Sequence, residues 1–335
     1  MKKILIIRFS SFGDVVQAMN ATLFLKKMYP DVEITWLTKK VFKEFLLQDQ
    51  QISNVATLEE DFNSKITLIK SFIVREKFDL VFDAHRNLRT FLLRLSFVLS
   101  LKKINWIYRP KNRLKRILLF KFGLNLFPNP FYARDSYLAP LNQLDLCLES
   151  QGQQQSSYMN FEKINKENFK FLDKDFLIFA PSAAWEMKRW PKKHWSSLIE
   201  KASENYLIIL VGGANDLFID ELYHHNNKNV INMSGKTTFY ETFFLVSKSI
   251  YTLSADTGVI HVAEYLNKPG GLLLGPTAFG RTKSDLIKVF EVDLPCRPCS
   301  KDGRGTCSRK IYQECLSLLT PEDVLHHILQ TAKQI

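Results

Sequence analysis

The sequence predicts an α/β protein made of two doubly wound, Rossmann-like domains with parallel sheets. Three observations lead there. Short apolar runs of strand length alternate with segments of helical spacing along almost the whole chain, which is the βα pattern of a parallel sheet. The alternation comes in two series, separated by a polar stretch from Glu149 to Asn168 that contains SQGQQQSS and KINKEN. A chain of 335 residues, 46% of them hydrophobic, also has the length for two cores rather than one.

In the first series KILIIRF (3–9), VEITWLT (32–38), LVFD (80–83) and KINWIY (103–108) read as short buried strands, with helical spacing over Gly13 to Met28 and Asn87 to Leu99. The second series comprises FLIFAPS (176–182), LIILVGG (207–213), VINMSG (230–235), SIYTLSAD (249–256) and GLLLGPT (271–277). A helix is expected to begin at Pro191 and another to run from Val259 to Leu266; the last, in LTPEDVLHHILQTAKQI, has Thr320 as its cap ahead of Pro321. The expected domains are residues 1–165 and 166–335, facing each other across a cleft. Doubly wound sheets bind ligands at the carboxyl ends of their strands, and every polar motif below falls at such an end.

Several classes drop out on composition. The apolar run between Lys3 and Arg8 has only four residues, too few for a signal-peptide core. Nothing approaches the roughly 18 consecutive apolar residues of a membrane span. Five cysteines, an odd number, fit a reducing compartment better than a disulfide framework. A cytoplasmic protein is therefore expected; it is also expected to be a monomer.

The net charge of +12 is concentrated. Between Asp83 and Asp135 there is no acidic residue, while Arg86, Arg89, Arg94, Lys102, Lys103, Arg109, Lys111, Arg113, Lys115, Arg116, Lys121 and Arg134 supply twelve positive charges. Such a segment is either a solvated face or a surface for phosphates, of nucleic acid or of an anionic membrane. In FLLRLSFVLSL, INWIYRP and RILLFKFGLNLFPNPF the cations are interleaved with Leu, Phe and Trp, which suits a lipid interface better than a duplex. Nucleic acid is accordingly not an expected partner.

Four motifs carry candidate chemistry. In RFSSFGDVVQA, Ser10, Ser11 and Gly13 follow the first strand and Asp14 opens the first helix; the carboxylate either complements the helix dipole, worth about 0.3–1 kcal/mol, or serves a site that the glycine leaves open to a ligand. In FAPSAAWEMKRWPKKHW, Ser182 ends a strand and Lys188 and Arg189 stand where they would clamp phosphates or form an ordinary basic loop, with Trp190 as packing. VGGANDLF turns after a strand at Gly212 and Gly213, with Asp216 just beyond; two glycines are a weak signal. In SADTGVIH, Asp256, Thr257 and Gly258 lie between a strand and a helix, with His261 one turn on. Asp-Thr-Gly also marks aspartic proteases, but those need two such carboxylates in an all-β setting, and this chain has no second copy. A helix start with free N–H groups at Thr257, Gly258 and Val259 is an anion site. Asp256 repels anions and is better suited to accept from hydroxyls, so a sugar attached to a pyrophosphate fits both groups.

Taken together, IRFSSFGDVV, DLVFDAHRNLRT, KRWPKKHW, GKTTFYET, SADTGVIHVAEYLNKP, LLLGPT and the terminal C-x-x-C segment with LTPEDVL resemble, in order and over most of the chain, glycosyltransferase family 9, the ADP-heptose:lipopolysaccharide heptosyltransferases. The closest likeness is to its heptosyltransferase II members. The resemblance implies a GT-B fold, inversion at the anomeric centre and no metal or other cofactor. It implies Asp14 as the general base that deprotonates the acceptor hydroxyl. It places Asp256, Thr257, Gly258 and His261 on the donor's sugar hydroxyls and diphosphate, Lys188 on the departing diphosphate, and Asp216 and Met233 near the nucleoside, with Ser10 and Ser182 beside the donor. His85, Arg86 and Asn87 depart from the family's commoner glycine and glutamine, and the basic segment, with Arg86, Arg89, Arg109, Lys111 and Arg113, is expected to meet a phosphorylated lipid A core acceptor at the inner face of the inner membrane. The donor would be ADP-L-glycero-D-manno-heptose and the acceptor Kdo-lipid A or heptosyl-Kdo-lipid A. Transfer from another nucleotide sugar, a nucleotide-sugar epimerase of the same fold, or a non-enzymatic binder of anionic surfaces are the alternatives. Cys296, Cys299, Cys307 and Cys315, as C-x₂-C-x₇-C-x₇-C, read as reduced thiols or a structural zinc site.

Overall fold

The structure, a computed structural model, describes residues 1–100, 104–144, 158–214, 216–223 and 227–334. Within them the chain forms two compact units, Met1–Asn112 with Arg134–Glu162, and Arg113–Ala133 with Lys163–Ile335. In the first, β1 (Lys3–Ile7), β2 (Glu33–Thr38), β3 (Asn54–Thr57), β4 (Leu80–Asp83) and β5 (Asn105–Tyr108) make a parallel sheet in the order β3-β2-β1-β4-β5. In the second, β6 (Phe176–Ala180), β7 (Leu207–Leu210), β8 (Val230–Asn232), β9 (Tyr251–Ala255), β10 (Gly270–Leu273) and β11 (Ile287–Phe290) are parallel in the order β11-β10-β9-β6-β7-β8. Both are the α/β architecture expected of a GT-B protein. The chain reverses its direction of sheet growth between β1 and β4 and again between β6 and β9, and such switch points are where doubly wound sheets leave a crevice for ligands.

The central strands are covered on both faces, and β6 and β7, with Ile4 to Ile7 of β1, are uninterrupted apolar runs rather than alternations. Ile4 to Ile7 of β1 and all of β9 are buried. The two strands that the sequence did not announce, NVAT of β3 and IKVF of β11, are four-residue edge strands without such a run. Helices follow the expected positions to within a residue or two: Phe12–Met28, Leu88–Leu99, Gly258–Tyr265 and Pro321–Ala332. Asn87 caps the second of these by accepting from Thr90 N at 3.0 Å, and Thr320 caps the last by accepting from Asp323 N at 3.1 Å. Pro191 is not the first residue of its helix, as expected, but its N-cap; the helix is Lys192–Ala202.

Of the polar stretch from Glu149 to Asn168, residues 149–157 lie outside the described residues, as do Lys102 and Lys103 of the basic segment. Beyond it, Gln50 N donates to Tyr158 O and Asn160 N to Gln48 O, which ties the chain back to the first unit. Residues 113–133 belong to the second unit because Phe120, Phe127 and Phe131 pack edge-on around Phe279, with the Arg116 guanidinium 4.6 Å over that ring. In the second core Trp190 and Trp195 are fully buried, and Trp190 Nε1 donates to Leu316 O and Leu319 O, which pins the carboxyl-terminal segment to the loop after β6. No helix among the described residues is long and apolar enough to cross a membrane.

Candidate active site

The first unit gathers its polar groups just beyond β1, β4 and β5. Asp14 stands in the first turn of the helix Phe12–Met28, where it accepts from Ser11 Oγ at 2.9 Å. Arg8, one residue past β1, puts Nη2 2.6 Å from Asp14 Oδ2 and donates Nη1 to Ala84 O at 2.8 Å. Arg109, one residue past β5, puts Nη1 3.5 Å from Asp14 Oδ1, and Tyr137 donates its hydroxyl to the same oxygen at 2.8 Å. The Tyr137 ring is fully buried, with the guanidinium of Arg109 3.7 Å and that of Arg8 5.8 Å from its centre. Desolvation acts to raise the Asp14 pKa, but Arg8, Arg109 and the hydroxyls of Tyr137 and Ser11 outweigh it and hold the carboxyl well below the usual carboxylate range. About a third of the Asp14 side chain is nonetheless exposed (35%).

β4 supplies the other side of this group. Asp83 accepts from His85 N at 3.0 Å and Arg86 N at 2.6 Å, folding the chain tightly enough that Arg86 takes a left-handed backbone (φ 51°). Burial pushes the Asp83 carboxyl up. His85 packs edge-on against Phe9; burial, followed by Arg8 and Lys111, brings its pKa down to about 4, so it is neutral at neutral pH.

The second unit builds its group beyond β6, β9 and β10. Asp256, directly after β9, is buried and has Lys188 Nζ 3.0 Å from Oδ2, where it also accepts from Thr277 Oγ1 at 2.5 Å. Burial again acts to raise the pKa, but Lys188, Thr277 and a smaller contribution from His261 bring it below the ordinary value. Thr257 is the N-cap residue of the helix Gly258–Tyr265, but its hydroxyl is turned to that of Ser254, 3.0 Å away, and does not bond to the helix backbone. The helix therefore opens, positive end first, at Gly258, two residues after the carboxylate that Lys188 meets. His261 is buried one turn on, Nδ1 3.5 Å from Glu264 Oε2, while Glu264 Oε1 accepts from Lys283 N at 2.7 Å.

Two glycines are required by this packing. A Cβ on Gly280 would meet Asp256 Oδ1 at 2.1 Å, and one on Gly303, where φ is +90°, would meet Lys188 Cγ at 2.6 Å. Gly280→Ala is expected to displace the carboxylate and destabilise the protein by about 1–3 kcal/mol. A lowered urea midpoint at unchanged m-value checks this; an unmoved midpoint would mean that Asp256 is free to shift.

The cysteine segment supports this second group. Cys299 N and Ser300 N both donate to Pro276 O, Gly303 N donates to Ser300 Oγ at 2.9 Å, and Gln313 reaches Glu186 O, so the segment braces the turns that carry Thr277 and Lys188. Cys296, Cys299, Cys307 and Cys315 are free thiols. Among the described residues no three His, Cys, Asp or Glu side chains are grouped as a metal ion would need.

Other candidates are spread more widely. Asp216 lies with Arg189 and Phe218 in a pocket of about 360 Å³, where the Arg189 guanidinium stacks 5.3 Å over Phe218. Ser182 is half-buried after β6, and Met233 follows β8, donating N–H to Leu210 O. Ser10 is in the first unit beside Ser11, and Arg113 is in the second, whereas Arg86, Arg89, Arg109 and Lys111 are in the first. Arg8, Tyr137, Thr277, Gly280 and Gly303 were not singled out by sequence. Arg8 had a signal, as a cation ending an otherwise apolar central strand, and Thr277 had one as the last residue of LLLGPT.

The chain is similar to known proteins in both sequence and fold. The sequence pattern of glycosyltransferase family 9 (heptosyltransferase) matches residues 133–311. Lipooligosaccharide heptosyltransferase 2 of Haemophilus influenzae is 24% identical over 355 residues, covering 97% of this chain and 98% of that protein. The solved structure of Escherichia coli ADP-heptose lps heptosyltransferase II superposes with a TM-score of 0.72 at 19% identity, covering 100% of this chain and 99% of the other. A family 9 glycosyl transferase from Veillonella parvula gives 0.74 at 17% identity, covering 100% and 98%. At these identities the two structures show a shared fold.

Proposed function

The chain belongs to glycosyltransferase family 9, the heptosyltransferases, and from that premise we propose that it moves a heptose from ADP-L-glycero-D-manno-heptose to the inner core of lipopolysaccharide, on Kdo-lipid A or heptosyl-Kdo-lipid A, inverting the anomeric centre without a catalytic metal. The observation that carries this is the Lys188–Asp256–Thr277 group beside the helix start at Gly258. It offers positive charge for a diphosphate and an ionised carboxylate for sugar hydroxyls within one hydrogen-bonded cluster. In the donor complex Lys188 is shared between Asp256 and the diphosphate. Asp256 and His261 hold the sugar, the amides at Thr257 and Gly258 take phosphate oxygens, and Ser10, Ser182, Asp216 and Met233 contact the rest of the donor.

As the bond from the anomeric carbon to ADP breaks, negative charge grows on the diphosphate, and the ammonium and the helix terminus stabilise it where it develops. These two supply the electrostatic work a metal does in other transferases. Asp14 takes the acceptor's proton. A carboxylate held this acidic is a weak base toward a free alcohol, so it accepts late, once the oxygen is bonding to carbon and its proton has become strongly acidic. Arg86, Arg89, Lys111 and Arg113 receive the acceptor's phosphates, and Arg109 divides its charge between them and Asp14. The acceptor is presented at an anionic membrane surface, at which the protein, a monomer, acts peripherally from the cytoplasmic side.

The sign of the Asp14 shift gives a pH test. Its carboxylate is the active form and its folded pKa lies below the unfolded value, so the interaction's stabilisation is complete above the unfolded pKa of 3.8 and is lost as pH falls through the folded value. The profile of kcat/KM is expected to show no Asp14 inflection between about pH 4.5, just above the ordinary carboxylate range, and about pH 8. An inflection near neutrality that Asp14→Asn removes would contradict this. The donor assignment is tested by nucleotide release from ADP-heptose and from UDP- and GDP-sugars, each with inner-core acceptor. Release from ADP-heptose alone supports it, and release only from another sugar nucleotide replaces it with the alternative transferase.

A further inference from the structure

The helix Leu88–Leu99 presents an apolar face outward. Thr90, Leu93 and Phe97 are buried against the first unit, while Leu88, Phe91, Leu92, Leu95, Val98 and Leu99 point to solvent, with Leu88 and Leu99 73% and 76% exposed. At about 100° per residue these six fall within a stripe roughly 120° wide, opposite the buried face. A monomeric soluble protein rarely leaves a continuous apolar stripe uncovered.

Its flanks are cationic. On the same helical wheel Arg89 and Arg94 lie on opposite borders of the stripe, about 60° and 40° outside it. Arg86 and Arg94 both stack on the Tyr108 ring, 4.5 Å and 5.2 Å from its centre, and Arg89 sits over Phe9 at 6.0 Å. Stacking on rings leaves guanidinium edges to hydrogen-bond outward, and among the described residues no carboxylate pairs with these three. An apolar strip bordered by arginines, with no acidic residue between Asp83 and Asp135, has the layout of a helix lying in a membrane interface: leucines among the acyl chains, arginines at the phosphates.

We propose that the face formed by Leu88, Phe91, Leu92, Leu95, Val98 and Leu99 docks the protein on an anionic lipid bilayer. Its occupant is the phospholipid surface itself. This rests on the reading of the chain as a transferase for a lipid-borne acceptor.

The test is flotation of the full chain with vesicles of phosphatidylglycerol and phosphatidylethanolamine, and with phosphatidylcholine alone, beside transfer to acceptor dispersed in detergent. Wild type is expected to float with the anionic vesicles and poorly with neutral ones. Phe91→Ser/Val98→Ser is expected to lose at least tenfold in bound fraction while transferring in detergent at the wild-type rate. Phe91→Trp, which keeps the face apolar, is expected to add fluorescence over wild type that brominated anionic lipids quench; if the added indole signal stayed unquenched on bound protein, the proposal would be overturned, even if the double variant failed to fold. Wild type that transfers in detergent but ignores anionic vesicles also overturns it and leaves the transferase reading standing; absence of transfer with intact vesicle binding does the reverse. A wild-type dimer by light scattering that the double variant converts to monomer would make this face an interface between copies and overturn the lipid assignment.

Discussion

Lys188→Ala is expected to lower kcat for heptose transfer by about 10²- to 10³-fold, the scale of losing one preorganised charge at the site where negative charge develops. It also leaves Asp256 buried without its main counter-charge. Removing one partner of a buried pair costs about 3–5 kcal/mol, and with Lys188 17% and Asp256 8% exposed the lower end applies here. The two effects separate in a set of measurements. Lys188→Arg keeps the charge and is expected to restore most of the stability and part of the rate, whereas Lys188→Met restores neither. If Lys188→Ala were as destabilised as expected but transferred normally at low temperature, Lys188 would be a structural lysine only, and the leaving-group role would be lost.

Asp14→Asn is expected to lower kcat by about 10²- to 10⁴-fold, the range for removing a positioned general base, while ADP affinity stays within about twofold because, Ser10 apart, the donor groups identified above lie in the other unit. The near-isosteric amide can still accept from Tyr137 or from Ser11 but not from both, since they donate to different oxygens of the carboxylate, and it no longer neutralises Arg8, which is buried and gives Nη1 to Ala84 O. Some loss of stability accompanies the change, so rates are to be compared below the unfolding transition. A fully active Asp14→Asn would move the base elsewhere; His85, neutral and half-buried beside Arg8, would then be the nearest candidate.

The sequence carried the strands and motifs well because the sheets are parallel and doubly covered: β1, β6 and β7 are apolar runs, β9 is buried throughout, and the turns after β1, β6 and β9 carry Asp14, Lys188 and Asp256. The short edge strands β3 and β11 left no such mark. The partners of each motif were hidden for a different reason. Tyr137 reaches Asp14 across 123 positions of sequence, and Thr277 reaches Asp256 across 21, through contacts that exist only once the sheet order is set. Arg109 read as one more cation in a basic segment, yet its distance from Asp14 and its stacking on Tyr137 make it a neighbour of the carboxylate. The cysteine segment read as a thiol or zinc question, while its structural consequence is mechanical: Gly303 gives the stem of Lys188 its room.

The most direct test of the central claim is the mass of the acceptor after wild-type protein is incubated with ADP-heptose and, separately, Kdo-lipid A and heptosyl-Kdo-lipid A. The account predicts that one of these acceptors gains a single heptose, with release of one equivalent of ADP. Unchanged acceptors with ADP-heptose left intact, under conditions where the protein is folded and binds ADP, would contradict it.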